Sequence, residues 1–211
     1  MEVIDTPVDV SHKAVLLKAQ GVKAIIRYIS PINLAGSKTI KKAEADAILA
    51  AGLQIGFVCE GWGGSDNFSH HDITATTGTR DGAACGEWMR RLGAPRGTAV
   101  YAAIDNDASA AQITSLCLPY FKSFRAALDP DYDLGAYGCG ALLAVLKQRQ
   151  MVNYLWLSNA MGWNESRAMR DAKGYDILQH LETRLLGIDV DPDELNPASS
   201  EVGFWKPAVA A

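Results

Sequence analysis

Val100-Tyr101-Ala102-Ala103-Ile104-Asp105-Asn106-Asp107 is an apolar run of strand length that ends in acid. Side chains alternate along a strand with period two, so an extended continuation of the run places Asp105 and Asp107 on one face. Two carboxyls that close cannot both ionise freely; one keeps its proton to higher pH and supplies an acid beside a base. The same pattern recurs at three distant places, with Asp5 after Val3-Ile4, Glu60 after a run ending in Cys59, and Asp189 after Gly187-Ile188. In parallel α/β folds the carboxyl ends of the strands form the edge where ligands bind. Four acids delivered there from distant segments predict one shared acidic pocket.

Working outward, strand-length apolar runs lie at 3–5, 24–29, 54–60, 99–105, 134–137, 154–158, 176–180 and 188–190. Between them, helical spacing of apolar residues predicts helices at 11–20, 40–51, 79–92, 108–128, 140–149 and 165–171, with Gly52 a stop for the second and Asp107 an N-cap for the fourth. Eight strands alternating with six helices predict an α/β protein of the (βα)8 TIM-barrel type rather than an open doubly wound sheet. The chain is short of helix after Asp176, so the barrel is expected to be modified near its C-terminal strands, with a loop joining the last two. A single barrel domain over residues 1–196 and a C-terminal tail over 197–211, docked through Phe204 and Trp205, complete the expected organisation.

A chain of 211 residues can bury a real core in one domain, and a formal charge of -4 gives no support for nucleic-acid binding. Cys59, Cys85, Cys117 and Cys139 form no CxxC pair and no Cys/His zinc spacing, which reads as four buried, reduced thiols. No apolar leader precedes the first strand and no run approaches the ~20 residues of a membrane span. The expectation is a monomer made in the cytoplasm without a signal peptide or membrane insertion, reaching a wall only through release or export by a separate system.

Glu60 opens the glycine-rich loop Glu60-Gly61-Trp62-Gly63-Gly64, where Trp62 offers a flat face to a sugar ring, or else closes a tight turn. Arg27-Tyr28 ends the second strand; Arg27 can hold a carboxylate in two hydrogen bonds or serve as a structural partner of Asp5. Tyr137 and Trp156 lie on the fifth and sixth strands, and Gln179 ends the seventh. In the second acidic run, 187–194, Asp189 and Asp191 share a strand face, while Asp193 and Glu194 read equally well as solvated loop residues. Neither acidic run is an EF-hand: the sixth and twelfth positions are Ala110 and Leu116 in one, Glu194 and Ser200 in the other. GxSxG and Walker-A patterns are absent, and His70-His71 has no third ligand at zinc spacing. No cofactor and no metal are expected.

Taken in order, Ile4-Asp5-Thr6, Ile26-Arg27-Tyr28, Ala51-Gly52-Leu53 ahead of Cys59-Glu60, residues 100–107, Gly135-Ala136-Tyr137-Gly138 and Trp156-Leu157 resemble the DUF1906 family, the Rv2525c-type glycoside-hydrolase-like domain. They are similar, more distantly, to the family 25 lysozymes. The resemblance implies a modified TIM barrel whose acidic pocket accepts a polysaccharide, for the lysozymes the glycan of peptidoglycan. It matches Asp5 to the first-strand acid, Asp105 to the first acid of a fourth-strand DxE, and Asp189 to the last-strand acid. Where the lysozymes end that motif in Glu, this chain has Asp107, one methylene shorter, which leaves the general acid open between Asp107 and Glu60.

The expected function is glycoside hydrolysis of bacterial peptidoglycan or a related amino-sugar polysaccharide, as in a phage-type endolysin. In that reading Asp107 or Glu60 protonates the leaving oxygen and Asp105 stabilises the oxocarbenium-like centre. Asp5 tunes the acids; Asp189, Arg27, Tyr28, Trp62, Tyr137, Trp156 and Gln179 hold the substrate. Two rivals stand beside it. One is a catalytically silent carbohydrate-binding barrel; the other is a divalent-metal phosphodiesterase using Asp5, Asp105, Asp107 and Asp189 as oxygen ligands.

Overall fold

The computed structural model describes residues 1–60 and 73–208. Seven strands run parallel and in sequence order: β1 (Val3–Asp5), β2 (Ala24–Ile29), β3 (Gln54–Cys59), β4 (Ala99–Ala103), β5 (Asp133–Gly138), β6 (Tyr154–Leu157) and β7 (Ile177–Gln179). β8 (Thr183–Leu185) folds back on β9 (Ile188–Leu195) as a hairpin. β9 then enters antiparallel between β7 and β1 and closes an eight-stranded barrel. The closed barrel and the helix-free link after the seventh strand were legible in the sequence. The direction of the last strand was not.

Helices α1 (Ala14–Ala19), α2 (Lys42–Ala50), α3 (Ala75–Leu92), α4 (Ala110–Gln112), α5 (Leu118–Ala127), α6 (Gly140–Gln148) and α7 (Ser166–Asp171) accompany the strands, and a π-helical stretch, Ile113–Cys117, joins α4 to α5. None of these helices is long and apolar enough to cross a membrane. The fourth helix begins later than its sequence suggests. Ser109, not Asp107, is its cap, in reciprocal hydrogen bonds with Gln112.

Period-two alternation divides the core into two layers. Ile25 and Ile29, Val100 and Ala102, and Leu155 and Leu157 pack outward against the helices. Ala24 and Ile26, Ala99, Tyr101 and Ala103, and Trp156 fill the barrel interior. Both strand faces are buried, which explains why the strands read as unbroken apolar runs. The same parity places Arg27, between Ile26 and Tyr28, on the helix side. There its guanidinium is fully buried against Glu44 of α2, with Nε–Oε1 at 2.6 Å.

The C-terminal tail closes the amino end of the barrel. Val202 and Phe204 join the interior cluster, the Tyr101 hydroxyl donates to the Val202 carbonyl at 2.7 Å, and Trp205 exchanges backbone hydrogen bonds with Ile55. Gly203 makes this possible: its φ is +68°, and a Cβ there meets Ala99 Cβ at 2.4 Å. With one end plugged, a ligand has only the carboxyl-end rim to enter.

α3 and α5 approach closely because Gly78, Gly82 and Gly86 repeat every fourth residue and form one bare stripe on α3. A Cβ at Gly78 comes within 2.3 Å of the Tyr120 carbonyl oxygen, and one at Gly82 within 2.3 Å of that of Phe124. These are backbone atoms, so relief requires moving a helix. Gly82→Ala is expected to cost about 1–3 kcal/mol, read as a lower urea midpoint at unchanged m-value. An unchanged midpoint refutes the close-packing argument.

Candidate active site

At the rim a cleft of about 300 Å³ opens, with Glu60, Asp105 and Asp191 among its walls and Tyr28, Tyr137, Trp156 and Trp163 as its aromatic faces. Asp5, at the end of β1, lies just beneath. Its Oδ1 accepts the Tyr28 hydroxyl at 2.9 Å and its Oδ2 accepts Gln179 Nε2 at 3.0 Å. The Gln179 amide bridges further: Nε2 donates to Asp191 Oδ2 at 3.2 Å, and Oε1 accepts the Tyr137 hydroxyl at 2.8 Å. That hydroxyl also stands 3.4 Å from Asp105 Oδ1. One amide on β7 thus ties β1, β5 and β9, and two carboxyls, to its own strand.

Burial dominates the electrostatics. Asp5 is pushed up to about 7 by desolvation, with the Gln179 hydrogen bond pulling the other way and the Asp191 charge adding to the rise. Desolvation pushes Asp191 up to about 6, helped by the charges of Glu182 and Asp105. Asp105 is raised by burial against the pull of Tyr137 and Lys38, and Glu60 by burial against Lys38. Deeper still, Asp193 is 5% exposed; Trp156 Nε1 donates to its Oδ1 at 2.8 Å, and its Oδ2 has no hydrogen-bond partner among the described residues. Facing Asp5 with one donor against two, Asp193 keeps its proton the more firmly.

These shifts fix a sign for stability against pH. A carboxyl near 3.9 when unfolded and about 7 when folded binds its proton more tightly in the native state. Its favourable contribution is complete below the unfolded value and is lost as pH rises through the folded one. Asp191 acts in the same sense. The urea midpoint is therefore expected to be higher at pH 5 than at pH 8, and Asp5→Asn to flatten that slope. A midpoint that rises between pH 5 and pH 8 contradicts the assignment.

Of the residues singled out in the sequence, Asp5, Tyr28, Glu60, Asp105, Tyr137, Trp156 and Gln179 gather at or just below the cleft. Three do not. Asp107 is exposed and accepts the Asn164 backbone N–H at 2.7 Å, because β4 ends at Ala103 and the alternation expected of 105–107 lapses. Asp189, its side chain 58% exposed, pairs with Arg184 at 3.1 Å. β9 enters antiparallel with Asp5 opposite Asp191, so a residue two positions earlier stands outside the rim. Arg27 faces the helices, which removes it from substrate contact. Trp62 and His70-His71 lie outside the described residues.

Other members were missed. Asp191 shares a strand face with Asp189, but only the pairing register shows which of them enters the barrel. Asp193, which reads in sequence equally well as a solvated loop residue, is part of the interior. Lys38, in the polar loop after β2, carried no signal; its ammonium pairs with Glu60 and lies 4.4 Å from the centre of the Tyr28 ring. Among the described residues, no group of three or more His, Cys, Asp or Glu side chains is arranged to hold a metal ion.

The sequence pattern of the Rv2525c-like, glycoside hydrolase-like domain family matches residues 15–193. Uncharacterized protein YbfG of Bacillus subtilis (strain 168) is 28% identical over 162 residues, covering 71% of this chain and 21% of that protein. The chain spans about a fifth of the length of the curated relatives it matches. Among solved structures, the Mycobacterium tuberculosis Tat-secreted protein Rv2525c, in complex with HEPES, superposes with a TM-score of 0.77 at 21% identity, covering 96% of this chain and 98% of that one. The Bacillus cereus spore cortex-lytic enzyme SleL superposes with a TM-score of 0.53 at 9% identity, covering 93% and 55%. At these identities the structural likenesses establish the fold alone.

Proposed function

This chain belongs to the Rv2525c-like, glycoside hydrolase-like domain family, and we propose that it hydrolyses an amino-sugar polymer such as a bacterial cell-wall glycan. The observation that carries this reading is the pair Asp105 and Asp191: two carboxyls with raised pKa in one aromatic-walled cleft at the barrel rim. Asp191, near 6, is matched to protonating a leaving oxygen at mildly acidic pH. As the C1–O bond breaks, its electron pair goes to that oxygen and positive charge develops on the sugar ring. Asp105, raised by burial but with Tyr137 and Lys38 opposing that rise, stabilises that charge in its ionised form. Water then adds at C1 and its proton restores Asp191. Trp163, half-buried at the rim, offers its ring to a sugar face.

Purified peptidoglycan digested with wild type, Asp105→Asn and Glu60→Gln, and read by new reducing ends and product mass, tests the reading. New reducing ends with wild type, lost in Asp105→Asn, support it; mass separates a muramidase from a glucosaminidase. Activity is expected to fall as pH rises through about 6, where Asp191 loses its proton, and to fall again in acid as Asp105 gains one. A profile flat from pH 5 to pH 8 counts against Asp191.

The silent carbohydrate-binding barrel remains a second reading, favoured by one observation: Asp107 turns out of the cleft to Asn164, so the fourth-strand motif contributes only Asp105. Binding without new reducing ends supports it. The phosphodiesterase reading goes no further, since Asp107 and Asp189, two of its four ligands, stand outside the cleft. A wall polymer as substrate places the protein's work outside the cytoplasm, in keeping with the Tat-secreted character of Rv2525c; cell fractionation with a cytoplasmic marker tests that.

A further inference from the structure

The cleft's charge balance is one-sided. Glu60, Asp105 and Asp191 line it, and no Lys, Arg or His does among the described residues. Asp5 and Asp193 lie under its floor. The cation next to it, Lys38, is committed to Glu60 and stacked on Tyr28. An anionic ligand that captured Lys38 would leave Glu60, largely buried, without its partner.

The hydrogen-bond accounting points the same way. Tyr28 donates to Asp5, Tyr137 to Gln179, and Gln179 to both Asp5 and Asp191, while Trp156 donates to Asp193. Asn159 Nδ2 gives one hydrogen to the His180 carbonyl. The Ser158 hydroxyl is spent on Tyr137, so among the described residues the hydrogens left for a ligand come from the rest of the Asn159 amide and the Trp163 indole. Acceptors are in excess, since Asp105 Oδ2 and Asp191 Oδ1 accept nothing from the described residues. The cleft therefore suits a ligand that brings donors and positive charge. Aromatic faces beside those carboxylates add attraction for a cation.

Resting on the reading of this cleft as a sugar site, we propose that the sugar residue it selects is a de-N-acetylated hexosamine, held by its free ammonium group between Asp105 and Asp191. An N-acetyl group removes the charge and adds a carbonyl that must compete for the few donors left. A uronic acid or phosphorylated sugar meets three carboxylates.

Calorimetric titration with glucosamine hexamer, N-acetylglucosamine hexamer and oligogalacturonate, at pH 6.5 in about 0.15 M salt to screen loose adhesion, tests this. Wild type is expected to bind the glucosamine hexamer at least about tenfold more tightly than the N-acetylated one, as one charge-assisted hydrogen bond suffices for that ratio. Oligogalacturonate is expected not to bind. Asp105→Asn and Asp191→Asn should each reduce the ratio toward one, with folding checked by thermal unfolding. Glu201→Gln, an exposed tail residue paired with Lys206, should leave it unchanged.

Equal or tighter binding of the N-acetylated hexamer, no binding of the glucosamine hexamer, or an equal loss in Glu201→Gln overturns the proposal. Cleavage is scored separately in the same samples. Selective binding without cleavage retains the ligand assignment and refutes hydrolysis; cleavage of the N-acetylated hexamer alone does the reverse.

Discussion

Asp191→Asn is expected to lower kcat on a cleavable glycan by about 10²–10⁴-fold, the range a positioned general acid contributes, while KM changes little. Asn has nearly the same volume and still meets Gln179, so the fold should survive. Removing a half-buried carboxyl with a raised pKa should even lift stability slightly near neutral pH. Asp105→Asn is expected to cost a similar factor by a different route, since it removes the charge that offsets the oxocarbenium-like centre. The two differ in pH profile: the fall above about pH 6 should vanish in residual Asp191→Asn activity and persist in Asp105→Asn. Asp107→Asn and Asp189→Asn should stay within about twofold of wild type, because their carboxyls face solvent and the cleft does not feel them. A loss at Asp107 as large as at Asp191 restores the assignment the fourth-strand motif suggests and removes Asp191 from the chemistry.

The contrast between Asp107 and Asp191 shows what a linear sequence can and cannot convey. Apolar runs ending in acid marked β1, β3 and β4 correctly because strands buried on both faces need uninterrupted hydrophobicity. The end of a run sits at the rim whatever its neighbours do. Beyond the last ladder hydrogen bond the period-two rule lapses, and two residues after Asp105 the chain has turned away toward Asn164. On the last strand the difficulty was register. Asp189, Asp191 and Asp193 occupy one face, and a hairpin through Leu186 and Gly187, both at positive φ, decides how far each reaches into the barrel. Lys38 was illegible for another reason: it reaches the cleft from a loop without periodicity, and only the folded chain lays it over Tyr28. The glycine stripe of α3 was present in the sequence as spacing, but its partner carbonyls on α5 lie some forty residues on.

Arg27→Met is expected to destabilise the protein by about 3–5 kcal/mol, the cost of leaving one member of a buried ion pair without its partner. Both residues of the pair are essentially inaccessible, and Glu44 accepts from Arg27 Nε at 2.6 Å and Nη2 at 3.1 Å. Glu44 Oε1 also accepts the Val10 backbone N–H at 3.0 Å, and Arg27 Nη1 donates to the Thr6 carbonyl at 2.5 Å. The pair therefore pins the chain that leaves β1 immediately after Asp5, joining β1, β2 and α2 behind the cleft. Arg27 reads in sequence as a substrate contact, and the two roles predict different data. A contact residue lost from the cleft raises KM and leaves the urea midpoint alone. A buried clamp lowers the midpoint sharply and leaves kcat/KM per folded molecule within a few-fold. Arg27→Met with Glu44→Leu should recover most of the loss, since removing both charges leaves no buried ion unpaired. If the double variant is as unstable as the single one, the hydrogen bonds to Thr6 and Val10 carry the stability. If Arg27→Met costs under about 1 kcal/mol, the range of an exposed pair, Arg27 is not the clamp behind Asp5.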